Sequence, residues 1–150
     1  MNAYFNKTRR KIQSLGEDVE VGDDCFFSAV RETLGLKTNK FAKKLRISRQ
    51  QLHRILKGTS HPSTKTLVEL LSVIIKEFQK AARMSKIEPT EEFCTHEACE
   101  EWRRMTEKMF ELRQKQTNGT YGCEDLHEEI QNSYKMLLFV RELNKLSEAI

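Results

Sequence analysis

Residues 48–58 read SRQQLHRILKG, with three cations, one histidine and no acid among the eleven. Ser48, with Gln51 three positions on, has the pattern of a capping box, in which the two side chains satisfy helix-start donors reciprocally. A helix opening there carries Leu52, Ile55 and Leu56 on one side and Arg49, Gln50, His53, Arg54 and Lys57 on the other. The second set has a definite chemistry. An arginine fork spans guanine O6 and N7, and a glutamine amide spans adenine N7 and N6. Placed at a helix start, such groups reach base edges in a DNA major groove while the apolar side stays on a core.

The surrounding chain supplies elements able to position this helix. A short helix over about 38–45 buries Phe41, Ala42 and Leu45 and is followed by a three-residue turn, Arg46–Ile47–Ser48. Before it, CFFSAVRETL repeats apolar residues at helical spacing (Phe26, Phe27, Val30, Leu34) after a cap at Asp23 or Asp24, and Gly35 stops it. Gly58 ends the helix opened by Ser48. Ser63 caps a longer helix with the stripe Leu67, Leu70, Leu71, Ile74, Ile75 and Phe78, running to about 84. An N-terminal helix over 3–15, capped by Asn2 and ended by Gly16, is also expected.

Charge divides the chain. Residues 1–86 hold 18 Lys/Arg against 8 Asp/Glu, a net +10, whereas residues 87–150 hold 8 against 14, a net −6. No acid lies between Glu32 and Glu69, although nine cations do: Lys37, Lys40, Lys43, Lys44, Arg46, Arg49, Arg54, Lys57 and Lys65. A merely solvated face mixes signs; a one-sign block within a folded segment points to a polyanion. At 150 residues with 38% hydrophobic and 32% charged residues, the composition is that of a charge-rich helical protein. No apolar run approaches the ~18 residues of a membrane span, and no secretory h-region follows the first cations. The expected location is cytoplasmic, with no membrane partner.

Beyond KIEPTEE, taken as the boundary with a possible cap at Thr90, the apolar residues Ala98, Trp102, Met105, Met109 and Leu112 step by four and three. That is the spacing of a helix laid along another helix. Asn118-Gly119 breaks it, and a last helix runs from about Glu124 to near the end. Its middle, YKMLLFV (134–140), is apolar on more than one side. A single neighbour would not cover it, which gives a dimer a physical cause.

The segment FFSAVRETLGLKTNKFAKKLRISRQQLHRILKGTSHPSTKTLVELLSVI, residues 26–74, resembles the XRE family of helix-turn-helix proteins, with the fold of lambda repressor and Cro and of HigA-type antitoxins. The matching residues are Arg31, Gly35-Leu36, Phe41-Ala42, Leu45, Ile47-Ser48-Arg49-Gln50, Arg54-Ile55, Gly58, Pro62-Ser63 and Thr66-Leu67, without a gap in spacing. The resemblance implies that Arg49, Gln50 and Arg54 read bases and that Thr38 binds a phosphate at a helix N-terminus. His53 joins the base contacts, and Lys57 the phosphate contacts, by facing. Lys37 and Thr59 are taken as further phosphate contacts. Three departures stand out. Thr38 replaces a frequent Gln. Arg46 replaces the usual turn glycine, at a cost of roughly 1 kcal/mol if a positive φ persists. Leu56 replaces a Glu that in relatives pairs with the arginine matching Arg31, which leaves Arg31 to solvent or phosphate and lets Leu56 extend the core.

Other chemistry is weakly supported. Cys94, His96, Cys99, Cys123 and His127 could suggest zinc, but the C-x4-C spacing is loose and reduced, core-packed cysteines explain them as well. No metal, cofactor or catalytic residue is expected, since no Gly-rich phosphate loop, G-x-S-x-G or H-E-x-x-H occurs. The expectation is therefore an all-α protein: a lambda-repressor-like helix-turn-helix domain in 1–86, followed in 87–150 by a helical hairpin used for dimerisation. The expected function is a non-enzymatic transcriptional regulator, most often a repressor, bound as a homodimer to a palindromic double-stranded operator. The alternative is an antitoxin-like protein whose C-terminal helices hold a protein partner and whose DNA binding serves autoregulation.

Overall fold

The computed structural model describes residues 24–85 and 95–149, and these residues form six helices and no strand. They are α1 (Asp24–Leu34), α2 (Thr38–Leu45), α3 (Arg49–Leu56), α4 (Thr64–Met84), α5 (His96–Asn118) and α6 (Cys123–Ala149). The helix expected over 3–15, the Asp23 and Thr90 caps and Cys94 lie outside the described residues.

Local signals set most boundaries. Ser63 Oγ accepts from the Thr66 backbone N–H (3.2 Å), which opens α4. Thr95 performs the same task for α5, accepting from the Ala98 N–H at 3.1 Å. Gly35 and Gly119 take positive φ after α1 and α5, as a residue closing a helix in the left-handed conformation must.

The main core joins the first four helices to the last. Phe26, Phe27, Val30, Phe41, Leu45, Leu52, Ile55, Leu67, Leu70 and Ile74 form one buried cluster with Leu126, Ile130, Tyr134 and Leu137 of α6. Packing therefore crosses the point at which the charge reverses. A second cluster lies between α5 and α6, made of Ala98, Met105, Met136, Phe139 and Leu143 with Trp102 and Met109 half-buried beside it. The step of four and three along α5 is thus the seam it lays on α6.

This arrangement corrects the reason given for a dimer. Tyr134 and Leu137 face the first cluster, whereas Met136 and Phe139 face the second. Both sides of the 134–140 run are covered within one chain, by α4 and α5. Hydrogen bonds pin the sandwich: the Asn132 amide donates to the Met105 carbonyl (2.8 Å) and the Asn144 amide to the Ala81 carbonyl (3.1 Å).

The α5–α6 turn is held by Lys115, which donates to Asp125 at 2.8 Å, and by the Gly122 N–H, which donates to the same carboxylate at 2.9 Å. Lys115 and Gly122 hold the Asp125 carboxyl below its ordinary range. A depressed carboxyl contributes stability above the unfolded pKa and loses it as pH falls through the folded one. Acidification below pH ~4 is therefore expected to loosen this turn, measurable as lost protection of the Gly122 amide against hydrogen exchange. Protection that persists under acid would assign the turn's stability to packing instead.

Candidate nucleic-acid interface

The helix over Arg49–Leu56 forms as its residues dictate. Ser48 sits in extended backbone and its Oγ accepts from the Gln51 N–H at 3.0 Å. The reciprocal half of the capping box does not form: the Gln51 side chain is exposed and makes no hydrogen bond among the described residues. Ser48→Ala removes the one cap bond and is expected to cost about 1 kcal/mol of stability, read from thermal unfolding; an unchanged midpoint would mean that packing alone holds the helix start.

Leu52 and Ile55 are fully buried, and Leu56 packs half-buried against the same core. Across the helix, Arg49, Gln50, His53 and Arg54 are exposed and together line one shallow open depression. Lys57 follows at the C-cap, also exposed. The four side chains expected to reach bases therefore share one outward face, and nothing in the chain covers it among the described residues.

At the start of α2, Lys37 is the extended N-cap residue and offers no side-chain cap bond. The first N–H groups of α2 remain available to an anion, with the helix dipole favouring one. Thr38 is half-buried and Lys37 exposed at this end. Thr59 differs: its hydroxyl donates to the Arg54 carbonyl (3.2 Å), so that proton is already used within the protein.

The turn between α2 and α3 contains the strained residue. Arg46 has φ 58 and ψ 40, the only positive φ at a non-glycine among the described residues. Its N–H donates to the Lys43 carbonyl at 3.1 Å and the next, from Ile47, to Ala42 at 3.1 Å, which closes α2. The left-handed backbone thus persists in spite of the side chain. Its guanidinium lies 3.8 Å from the Glu69 carboxylate, and it is 76% exposed, a pair too solvated to offset the strain by much. Arg46→Gly is expected to raise stability by about 1 kcal/mol while removing one cation; a lower unfolding midpoint would contradict the strain.

Arg31 is not left to solvent or phosphate, contrary to the expectation raised by Leu56. Its Nη1 donates to the Leu36 carbonyl at 3.1 Å, and its Nε is buried without a partner. With no carboxylate partner, the side chain reaches past the end of its own helix to a carbonyl of the connection.

All nine cations of the acid-free block are exposed. Among the described residues, Arg46 alone of the nine has a carboxylate within 4.0 Å. The hairpin is different: Arg103, Arg104, Lys108, Lys115, Arg141 and Lys145 each lie beside an acid. Among the described residues, these cations of the hairpin are paired within the fold, whereas those of the basic block, Arg46 apart, have no acid beside them.

The model of the helix-turn-helix family matches residues 28–84. That stretch is a helix-turn-helix domain. It is of the XRE type, the domain of a DNA-binding regulator and not a catalytic one. The helix-turn-helix match takes in most of α1 and all of α2, α3 and α4, a little over a third of the chain, and leaves α5 and α6 outside it. No curated protein and no solved structure matches the chain.

Cys99 and Cys123 do not converge. Cys99 lies in the first turn of α5 beside the second cluster, whereas Cys123 is exposed beyond the other end of that helix, separated by about 30 Å of helix. Among the described residues, no three His, Cys, Asp or Glu side chains come together as a metal set. No described helix is long and apolar enough to cross a membrane.

Sequence reasoning missed two contacts that reach the end of α1 from α6. Tyr134 OH and Thr33 Oγ1 share a hydrogen bond of 2.8 Å, and Arg141 Nη1 donates to the Thr33 carbonyl. They tie α6 to the end of α1 across more than 100 positions of sequence, and no local pattern announces such a contact.

Proposed function

We propose that the protein is a sequence-specific transcriptional regulator, acting in the cytoplasm, that reads the DNA major groove with α3 and represses from a palindromic operator as a homodimer. Arg49, Gln50, His53 and Arg54 contact base edges; Lys37, Thr38, Lys57 and Thr59 contact phosphates, Thr59 after its hydroxyl turns from Arg54. The observation that carries this reading is the field of nine exposed cations, eight without an acidic partner among the described residues, around a capped helix whose opposite side is core. A duplex supplies the missing counter-charge.

Two copies double the length of DNA read, because each recognition helix covers one half-site. The surface that pairs them is not the 134–140 run, whose side chains are spent inside the chain. The antitoxin-like alternative needs an exposed apolar surface on the hairpin. Among the described residues Phe110 is the hairpin's one large, well-exposed apolar side chain, at 65%, so the regulator is the better-supported reading.

Selection of bound sites from random DNA, followed by the mass of the complex, tests it. One inverted repeat bound by two copies is expected. A single half-site bound by one copy would remove the homodimer and keep the groove reading; no enriched sequence would remove sequence-specific recognition. Lys57→Ala is expected to weaken binding to every duplex alike and to reduce the log–log salt slope by about 0.9. A loss confined to one sequence would move Lys57 from the phosphates to a base.

A further inference from the structure

We propose that Arg141 is a positioning residue for DNA binding: from α6 it holds the end of α1, and through it the phosphate anchor at residues 37 and 38. The proposal rests on the DNA reading above and names a residue outside the segment that matches the family.

The last carbonyls of a helix have no partner within it. At the end of α1 one guanidinium takes that role, and a second holds the connection just beyond the helix. Arg31 donates to the Leu36 carbonyl (3.1 Å), and Arg141 donates to the Thr33 carbonyl. Tyr134 holds the same residue by its hydroxyl at 2.8 Å, while its ring meets Phe26 edge-on at 5.3 Å. Thr33 is thus gripped by both its carbonyl and its side chain, each time from α6. Arg141 is itself steadied by Glu77 of α4, 3.9 Å from its other Nη.

Lys37 lies four positions after Thr33, and α2 begins directly afterwards. Because no side chain caps α2, its first N–H groups point wherever this short connection sets them. A hydrogen bond to phosphate weakens steeply with distance and angle, so a loosened connection releases the anchor before it disturbs α3. Arg141 does not line the α3 depression. It borders a separate hollow with Glu77, Lys80, Ala81, Met84 and Asn144. Its influence on DNA is therefore indirect, and whatever tilts α6 is felt at the phosphate anchor.

The test measures duplex binding against salt concentration, on the selected operator and on random DNA, for wild type, Arg141→Ala, Arg141→Lys and Tyr134→Phe. Melting curves verify the fold of each. Arg141→Ala is expected to lower affinity for both duplexes by the same factor, roughly tenfold, and to reduce the salt slope by about 0.9 for each phosphate the protein no longer neutralises. The ratio of operator to random binding stays as in wild type. Arg141→Lys, which can still donate to the Thr33 carbonyl, restores the slope. A wild-type slope in folded Arg141→Ala overturns the proposal, as does an affinity loss that merely follows the unfolded fraction. Should Arg141→Ala fail to fold, Tyr134→Phe decides: a reduced slope supports the proposal and an unchanged one overturns it. Wild type that binds DNA without salt dependence overturns the DNA reading itself, an outcome distinct from an unchanged slope in the variant.

Discussion

Arg49→Ala is expected to weaken binding to the selected operator by about 1–3 kcal/mol, roughly 5- to 150-fold, with little effect on random DNA. The magnitude follows from what is removed. An arginine fork on a guanine makes two charge-assisted hydrogen bonds, and a wrong base leaves the fork or the base edge unpaired. Arg49 is exposed at the first turn of α3 and has no acidic partner among the described residues. Its truncation therefore breaks no ion pair of the fold, and stability should hardly change. Gln50→Ala is expected to act in the same way at a different base pair, since the two side chains project from successive positions. Affinity on the operator before and after each substitution, measured beside random DNA at one salt concentration, checks both. Equal loss on all sequences would turn Arg49 into a phosphate contact and defeat the groove assignment.

Deleting α6 is expected to abolish cooperative folding of the whole chain, helix-turn-helix domain included. Leu126, Ile130, Tyr134 and Leu137 leave the main cluster when α6 is removed. At roughly 1.5–3 kcal/mol for each large apolar side chain, their burial sums to about 6–12 kcal/mol. A domain of this size is stable by only about 5–15 kcal/mol, so the loss rivals the total. It also uncovers Phe26 and leaves the Thr33 carbonyl without Arg141. The milder Leu137→Ala, at a site with no exposure, should cost about 2–5 kcal/mol. Trp102 is the only tryptophan and packs against Phe139 at a ring separation of 5.1 Å, so its fluorescence reports docking of the hairpin in the Leu137→Ala protein. Circular dichroism follows the helices in both. A chain ending at residue 122 that melts cooperatively and still binds the operator would show that the first four helices suffice alone.

The largest features of the fold were legible in the sequence because the physics behind them is local. A cap needs a hydroxyl three residues before the N–H it accepts, and Ser48 and Ser63 meet that condition. A buried helix side needs apolar residues three and four apart, which marked Leu52 and Ile55 and, by opposition, Arg49, Gln50, His53 and Arg54. The strained turn was expected from the family resemblance, since Arg46 stands where relatives carry glycine, and its φ is 58. The missed details are those in which two local solutions compete. Gln51 had the spacing to complete a capping box and stayed in water instead. Arg31 had no carboxylate partner and found a carbonyl.

What covers the run from Tyr134 to Val140 was beyond the sequence by itself. Periodicity states that two sides of a helix are apolar; it does not state whose surface meets them. A second copy and the chain's own α4 and α5 satisfy the same pattern, and only the tertiary structure chose the latter. The grip of Arg141 on Thr33 is of the same kind, a contact across 108 positions. So is the fate of the cations. The sequence by itself determined the described helices, the caps at Ser48 and Ser63 and a block of nine positive charges. The tertiary structure decided that eight of the nine find no acid among the described residues, because pairing depends on which carboxylates the fold brings near, and here it spends them on the hairpin.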